Sequence, residues 1–251
     1  PASCTPNLPV TGVVGPAALL IEGEGVLPIQ NDYRPDPMIP ALTNYPVVPD
    51  PEGYEINRFQ LTNTSIPGTT LTLGRQRIAL DDQRFVGPVG WRQNEQTFDA
   101  LRMVNKSVRN LAIDLTYFNK VNRLFGEDSP QSDYEGDSLL LNLGYQAEKA
   151  GRFTVFGYLL DFENIAAVPA AVRDSTSTYG LRWAGDAPAG KIKLGWSLAL
   201  AEQTDHADNP LDFDLGYQSG EVSATYRQFT VGYDLEIMKG NGMKEFTTPL
   251  A

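Results

Sequence analysis

The sequence predicts an all-β chain folded as an antiparallel up-and-down transmembrane β-barrel, and three observations carry that prediction. Apolar residues alternate with small or polar ones in runs of about ten, the period of a strand with two unlike faces. The connections between runs are short and long in strict alternation, whereas a Greek-key sandwich mixes its crossings. Tyr117, Phe118, Tyr145, Tyr158, Phe162, Tyr179, Trp183, Trp196, Tyr217, Tyr226 and Tyr233 fall within or near the ends of the runs, where an interfacial girdle would place them.

The first sixteen residues, PASCTPNLPVTGVVGP, carry no initiator Met, basic stretch or apolar signal core and are left unassigned; a removed signal or a fragment accounts for that. From residue 17 to 251 the chain reads as one barrel domain with eleven strands. They lie at 17 to 27, 54 to 63, 69 to 79, 96 to 105, 109 to 119, 138 to 147, 151 to 162, 176 to 185, 190 to 203, 214 to 226 and 228 to 238. The connections at 28 to 53, 80 to 95, 120 to 137, 163 to 175 and 204 to 213 are long. Those at 64 to 68, 106 to 108, 148 to 150, 186 to 189 and near Arg227 are short.

Four runs alternate most clearly. Leu111, Ile113, Leu115 and Tyr117 oppose Ala112, Asp114 and Thr116, and Leu139, Leu141, Leu143 and Tyr145 oppose Asn142, Gly144 and Gln146. Ile192, Leu194, Trp196, Leu198 and Leu200 oppose Lys193, Gly195, Ser197, Ala199 and Ala201. Phe229, Val231, Tyr233, Leu235 and Ile237 oppose Thr230, Gly232, Asp234 and Glu236. A soluble sandwich also alternates in this way, but its strands are usually five or six residues, and about ten suits a tilted membrane strand.

Composition removes other classes. The chain has 251 residues and a formal net charge of -11, which argues against nucleic acid as a partner. No run of about 18 apolar residues is long enough for a membrane helix. One cysteine, Cys4, and one histidine, His206, leave no disulfide and no Cys/His metal or nucleophile cluster. Glu22 with Glu24, or Asp81 with Asp82, resembles a glycosidase carboxylate pair in composition only, and an acidic lumen patch explains them with less machinery. The acidic residues at 127 to 137 and at Asp205, Asp208, Asp212 and Asp214 lack the spacing of a calcium loop and read as solvated loops. No enzyme, cofactor, metal or catalytic residue is assigned.

Charge is distributed unevenly. Residues 69 to 123 hold nine basic side chains (Arg75, Arg77, Arg84, Arg92, Arg102, Lys106, Arg109, Lys120, Arg123) against five acidic ones (Asp81, Asp82, Glu95, Asp99, Asp114). That segment is therefore +4 and the remainder -15. Arginine's planar fork suits carboxylates and stays charged at any accessible pH. Arg75 and Arg77 share a face by the two-residue period, and the lumen is the expected face, because a charge at the bilayer midplane costs about 2 to 4 kcal/mol. Arg84 and Arg92 lie in the connection at 80 to 95, which is expected to enter the lumen as a constriction. Arg75, Arg77, Arg84, Arg92, Arg102, Arg123, Asp81, Asp82, Glu95 and Asp99 are the candidate pore-lining residues; an Arg/Asp ladder that merely stiffens the wall is the competing explanation.

The densest motif, GRQRIALDDQRFVGPVGWRQNEQTFD at 74 to 99, is followed by FNKVNRLFGEDSP at 118 to 130 and YLLDFEN at 158 to 164. With these blocks in this order, residues 17 to 251 resemble the alginate-export porins of Gram-negative outer membranes. The resemblance implies a barrel of about 18 strands, of which this chain supplies about 11. It also implies passive passage of an anionic polysaccharide such as alginate, contact with outer-membrane lipid and lipopolysaccharide, and periplasmic export partners. A strand count of eleven and a missing closing strand make the chain a partial barrel, with two exposed edges prone to aggregate. Two other functions stay open: a general or small-organic-anion porin, and a soluble carbohydrate-binding β-sandwich.

Overall fold

The computed structural model describes residues 3–4, 8–29, 32–36, 44–164 and 171–251. Its strands are β1 (Ser3–Cys4), β2 (Leu8–Val14), β3 (Ala17–Pro28), β4 (Gly53–Asn63), β5 (Thr69–Gln76), β6 (Thr97–Asn105), β7 (Leu111–Asn122), β8 (Asp133–Ala147), β9 (Gly151–Leu160), β10 (Thr176–Ala189), β11 (Ile192–Asp205), β12 (Asp214–Tyr226) and β13 (Phe229–Met238). A 3-10 turn at Ala171–Asp174 precedes β10. The eleven runs of the sequence correspond to β3 through β13. β1 and β2, in the unassigned stretch, pair in succession along the same edge of β3 and act as one interrupted strand.

Every pair from β3 to β13 is an antiparallel neighbour in chain order, without a crossover, so the sheet is a single meander. It is open among the described residues, with β1 and β2 at one edge and β13 at the other. Strands as long as 15 residues (β8) exceed what a globular sheet uses and suit a tilted crossing of a bilayer. The tight turns share one rim. A left-handed residue sits in or beside each: Gly15, Gly68, Asn110, Gly151, Gly190 and Arg227. At Gly68 a side chain is also excluded by space, since a Cβ would stand 2.8 Å from the Ser107 backbone.

The two faces differ as the alternation predicts. Paired residues lie on one face, and the register joins Leu19, Leu61, Leu73, Leu101, Tyr117, Leu139 and Leu159 into one row across seven strands. Leu181, Leu200, Trp196, Val222 and Tyr233 continue this face to the far edge. Leu73, Val155, Leu181, Leu200, Val222 and Val231 are all more than half exposed, and an apolar surface of this extent does not face water. Near the tight-turn rim the same face carries Tyr145, Phe153, Trp183 and Trp196, with Phe153 stacked on Trp183 at 5.7 Å and Trp183 tilted against Trp196 at 5.5 Å. Four aromatics expected in such a girdle, Phe118, Tyr158, Phe162 and Tyr217, are instead buried in the core on the opposite side. The parity of Phe118, Tyr158 and Tyr217 on their strands already opposes that of the outward leucines.

That opposite face is covered by two segments of the chain itself, residues 77–96 and 239–251. Ile78, Leu80 and Val86 from the first, and Phe246 and Leu250 from the second, pack with Phe98, Phe118, Leu140, Phe156, Tyr158, Leu215 and Tyr217. The core therefore lies inside the curved wall. Introducing an outward charge by Leu198→Arg is expected to lower folding stability in phospholipid vesicles by about 2 to 4 kcal/mol. Inward Ser223→Arg should cost far less, and urea titration followed by heat-modifiable gel mobility measures both.

Candidate functional site: a loop laid across the lumen

The segment 77–96 leaves β5, crosses the inner wall and returns to β6, and Asp81, Asp82 and Arg84 tie it to different strands. Asp81 accepts hydrogen bonds from Asn142 Nδ2 on β8 (2.7 Å) and Thr154 Oγ1 on β9 (3.4 Å). Asn142 is held in turn by the Tyr158 hydroxyl at 2.7 Å. Asp82 pairs with Arg182 on β10 at 2.9 Å, and Arg182 also donates to Ser197 Oγ on β11. Arg84 reaches Glu236 on β13, which the Tyr217 hydroxyl also bonds at 2.6 Å. Burial works against the charge on Arg84, but its bonds to Glu236 and Tyr217 outweigh that and hold the guanidinium more firmly charged than a free one.

Between these polar anchors sits an aromatic one. The Phe85 ring lies 5.0 Å from Phe156, 5.1 Å from Tyr217 and 6.0 Å from Phe246. The second inward segment clasps the same loop: Gly87 N and Gln96 Nε2 both donate to the Leu250 carbonyl, and Gln203 Nε2 donates to the Thr247 carbonyl. The loop is thus fixed from β8 round to β13 before it turns back. Its return begins at a turn in which Arg92 N donates to the Val89 carbonyl, with Val89 left-handed. There Arg92 stacks over the Trp91 ring at 3.9 Å, and Trp91 is three-quarters exposed.

The return leg ends in a charge network beside β3 and β4. Asn57 Nδ2 donates both to Glu22 (2.8 Å) and to Glu95 (2.6 Å), Glu22 takes a forked pair of bonds from Arg58, and Glu95 receives Arg77. Farther along the wall Arg102 grips Asp114 with the same fork, 2.5 Å at its shorter limb. Arg152 on β9 has no ion-pair partner among the described residues. It lies flat across Gly144, where an added Cβ would sit 1.9 Å from its guanidinium nitrogen, so the glycine makes room for the arginine.

The structure brings together Arg77, Arg84, Arg92, Asp81, Asp82 and Glu95 on the inward loop and Arg102 on the inner wall. Arg123 stands at the loop end of β7 between the rings of Phe125 (4.9 Å) and Tyr134 (4.2 Å). Arg75 and Asp99 are elsewhere. The expectation that Arg75 and Arg77 share the lumen face is not met, because β5 ends at Gln76 and Arg75 pairs in register with Phe59 and Asp99 on the outward face. Arg75 avoids the cost of lipid by binding Asp99 at 3.0 Å and Glu127 at 3.4 Å, in a polar collar that Lys120, Asp133 and Glu135 extend. Arg58, Arg152 and Arg182 were not singled out by the sequence. Arg152 and Arg182 each stand beside outward residues, Phe153 and Trp183, and parity alone would have found them. Arg58 stands in the same way beside outward Phe59, and the bulge at Asn57 inverts parity only on the side of Ile56 and Tyr54. His206, expected at the surface, shares a hydrogen bond with Ser177.

With that geometry in place, the comparisons with known proteins agree with it. The alginate-export family model matches residues 58–237. No curated protein matches the sequence. Among solved structures, OccK2 (OpdF) of Pseudomonas aeruginosa in complex with glucuronate superposes with a TM-score of 0.67 at 13% identity, covering 92% of this chain and 57% of that one. OpdK of the same organism with vanillate gives 0.63 at 14% identity, covering 89% and 57%. A BenF-like porin from Pseudomonas fluorescens Pf-5 gives 0.64 at 14%, covering 92% and 58%. The fold is that of an outer-membrane porin wall, and the chain spans between half and three-fifths of the length of these porins.

Removing the aromatic anchor tests how far the wall fixes the loop. Phe85→Ala is expected to leave the barrel assembled but to raise single-channel conductance and its flicker, because it removes the ring's contacts with Phe156, Tyr217 and Phe246, at less than the ~3 to 5 kcal/mol that a fully buried Phe→Ala change costs. Planar-bilayer recording reads this directly.

Proposed function

The chain belongs to the alginate-export family, and from that premise we propose that it forms part of an outer-membrane channel passing an anionic polysaccharide, such as alginate, through an arginine-bearing lumen. The observation that carries the proposal is the 77–96 loop laid across the inner wall, with neither Arg92 on the loop nor Arg152 on the inner wall in an ion pair among the described residues. Passage involves no chemical step. Each carboxylate of the polymer is held by fixed guanidinium groups in a water-filled space, weakly and at several positions, so that it moves on as the next arrives. Arg58, Arg77, Arg84, Arg102 and Arg182, each matched by a carboxylate, hold the loop and wall in shape, and the net attraction for anions comes from the unmatched ones.

One observation favours a second reading, a channel for small organic anions. The inward segments 77–96 and 239–251 both occupy the lumen, leaving less room for a hydrated polymer, and the similar porins are described with vanillate and with glucuronate. Both readings predict anion preference; they part on chain length. Uronate oligomers should block the current of the full-length barrel more strongly than monomeric glucuronate if a polymer is the cargo, whereas equal block by the monomer would favour the small-anion channel.

Replacing Arg92 and Arg152 together by Ala is expected to reduce the anion-over-cation permeability ratio by about twofold to fivefold, given that a unit charge 4 Å away in water is worth about 1 kcal/mol. Arg75→Ala, on the outward face, should leave it unchanged. Reversal potentials in a salt gradient decide the matter, and an unaltered ratio in the double variant would remove these residues from the selectivity mechanism.

A further inference from the structure

A small closed cavity, about 70 Å³, lies where the loop end of β3, the start of β4 and the connection after β7 meet. Five acidic residues line it, Glu24, Glu52, Glu55, Glu127 and Asp128, together with Asn94 and Tyr54. Acidic residues on solvated loops need no explanation, but Glu24 is not one of those: it is 4% exposed, and neither of its carboxylate oxygens has a hydrogen-bond partner. A buried charge in this state is costly unless something enters to meet it.

The surrounding cations are already committed. Arg58 is spent on Glu22, Arg77 on Glu95, and Arg75 on Asp99 and Glu127. No ion pair reaches Glu24, Glu52, Glu55 or Asp128 among the described residues. Excess negative charge is therefore concentrated round one enclosed space with oxygen donors only, which selects a hard cation over zinc or copper. Among the described residues no three carboxylates converge as a ready-made metal cage. A ligand shell must be completed by movement, which favours calcium, with its flexible six to eight oxygens, over magnesium, with its rigid octahedron.

We propose that this cavity binds a calcium ion, with buried Glu24 as the fixed ligand and Glu55, Glu127 and Asp128 drawn onto it. The ion would tie β3, β4 and the 123–132 connection together at the loop rim, and this stands apart from the passage of solute.

The test uses the full protein folded in detergent and stripped with chelator. Terbium is the probe, because it takes the oxygen sites of calcium and Tyr54, a residue at the cavity, is near enough to sensitise its emission. The expected result is sensitised terbium emission displaced by calcium, with at least tenfold weaker binding in Glu24→Gln and also in Asp128→Asn. Asp128 is an exposed loop residue, so its variant folds even where the buried change does not. Native protein without calcium-displaceable emission, or affinity unchanged in the variants that fold, overturns the proposal.

Discussion

The constraint on which the rest depends is that hydrocarbon offers no water to an unpaired backbone N–H or C=O. A wall strand in lipid must give all its backbone groups to its neighbours, and the simplest chain path that does so is the meander seen from β3 to β13, each strand paired with the one before and the one after. Once pairing is fixed, the pleat sends alternate side chains outward, so those must be apolar, and the others are free to be polar. The tight turns on one rim and long connections on the other follow from the same path.

A wall so constrained has little freedom to make a binding surface of its own, and the chain solves this with loops. Segment 77–96 is fixed from β8 round to β13, and Asp81, Asp82 and Arg84 each meet a complementary side chain of the wall. Ion pairs of this kind add little net stability, because desolvation offsets most of their attraction. What they do well is exclude alternatives: Asp82 fits only beside Arg182, Arg84 beside Glu236, and a loop shifted by one residue would leave several half-buried charges unmatched. Phe85 and Val86 contribute the apolar part of the attachment, and Leu250 closes over them.

Most of the wall was legible in the sequence because alternation at period two records which side faces lipid. The eleven runs, their order and the rhythm of their connections survive with boundary shifts of a few residues. The failures have a common physical cause. Alternation is reliable only while the pleat is unbroken, and the register slips at Asn57, at Asp99/Ala100 and between Phe118 and Lys120. On the strand that carries the extra residue parity reverses beyond the bulge, as in β4 before Asn57 and in β7 after Phe118. Arg75 differs: the lumen is expected for it because an outward charge is costed as if at the bilayer midplane, although near the loop end of a strand the outward face has already left the apolar belt and carries Asp99, Lys120 and Glu135 beside it. β2 escaped notice since Pro9, Gly12 and the short apolar run around them give almost no contrast between faces.

The charge of the interior has to be counted by pairs rather than by residues. A segment carrying +4 appears strongly attractive to anions, yet Arg77, Arg84 and Arg102 are each neutralised by a carboxylate within bonding distance, and Arg75 contributes to the outer collar. Arg123 at the loop end of β7 has no carboxylate partner among the described residues, and neither do two arginines of the interior, Arg92 on the loop and Arg152 on the wall. Both are positioned by contacts that leave their charge available, one lying on an aromatic ring and the other over a glycine. An arginine held by a carboxylate is rigid and electrically quiet, while one held by a ring or by shape alone is rigid and still charged. The first kind gives shape and the second leaves a field, and the same accounting leaves Glu24 a deeply buried carboxylate that no arginine binds among the described residues.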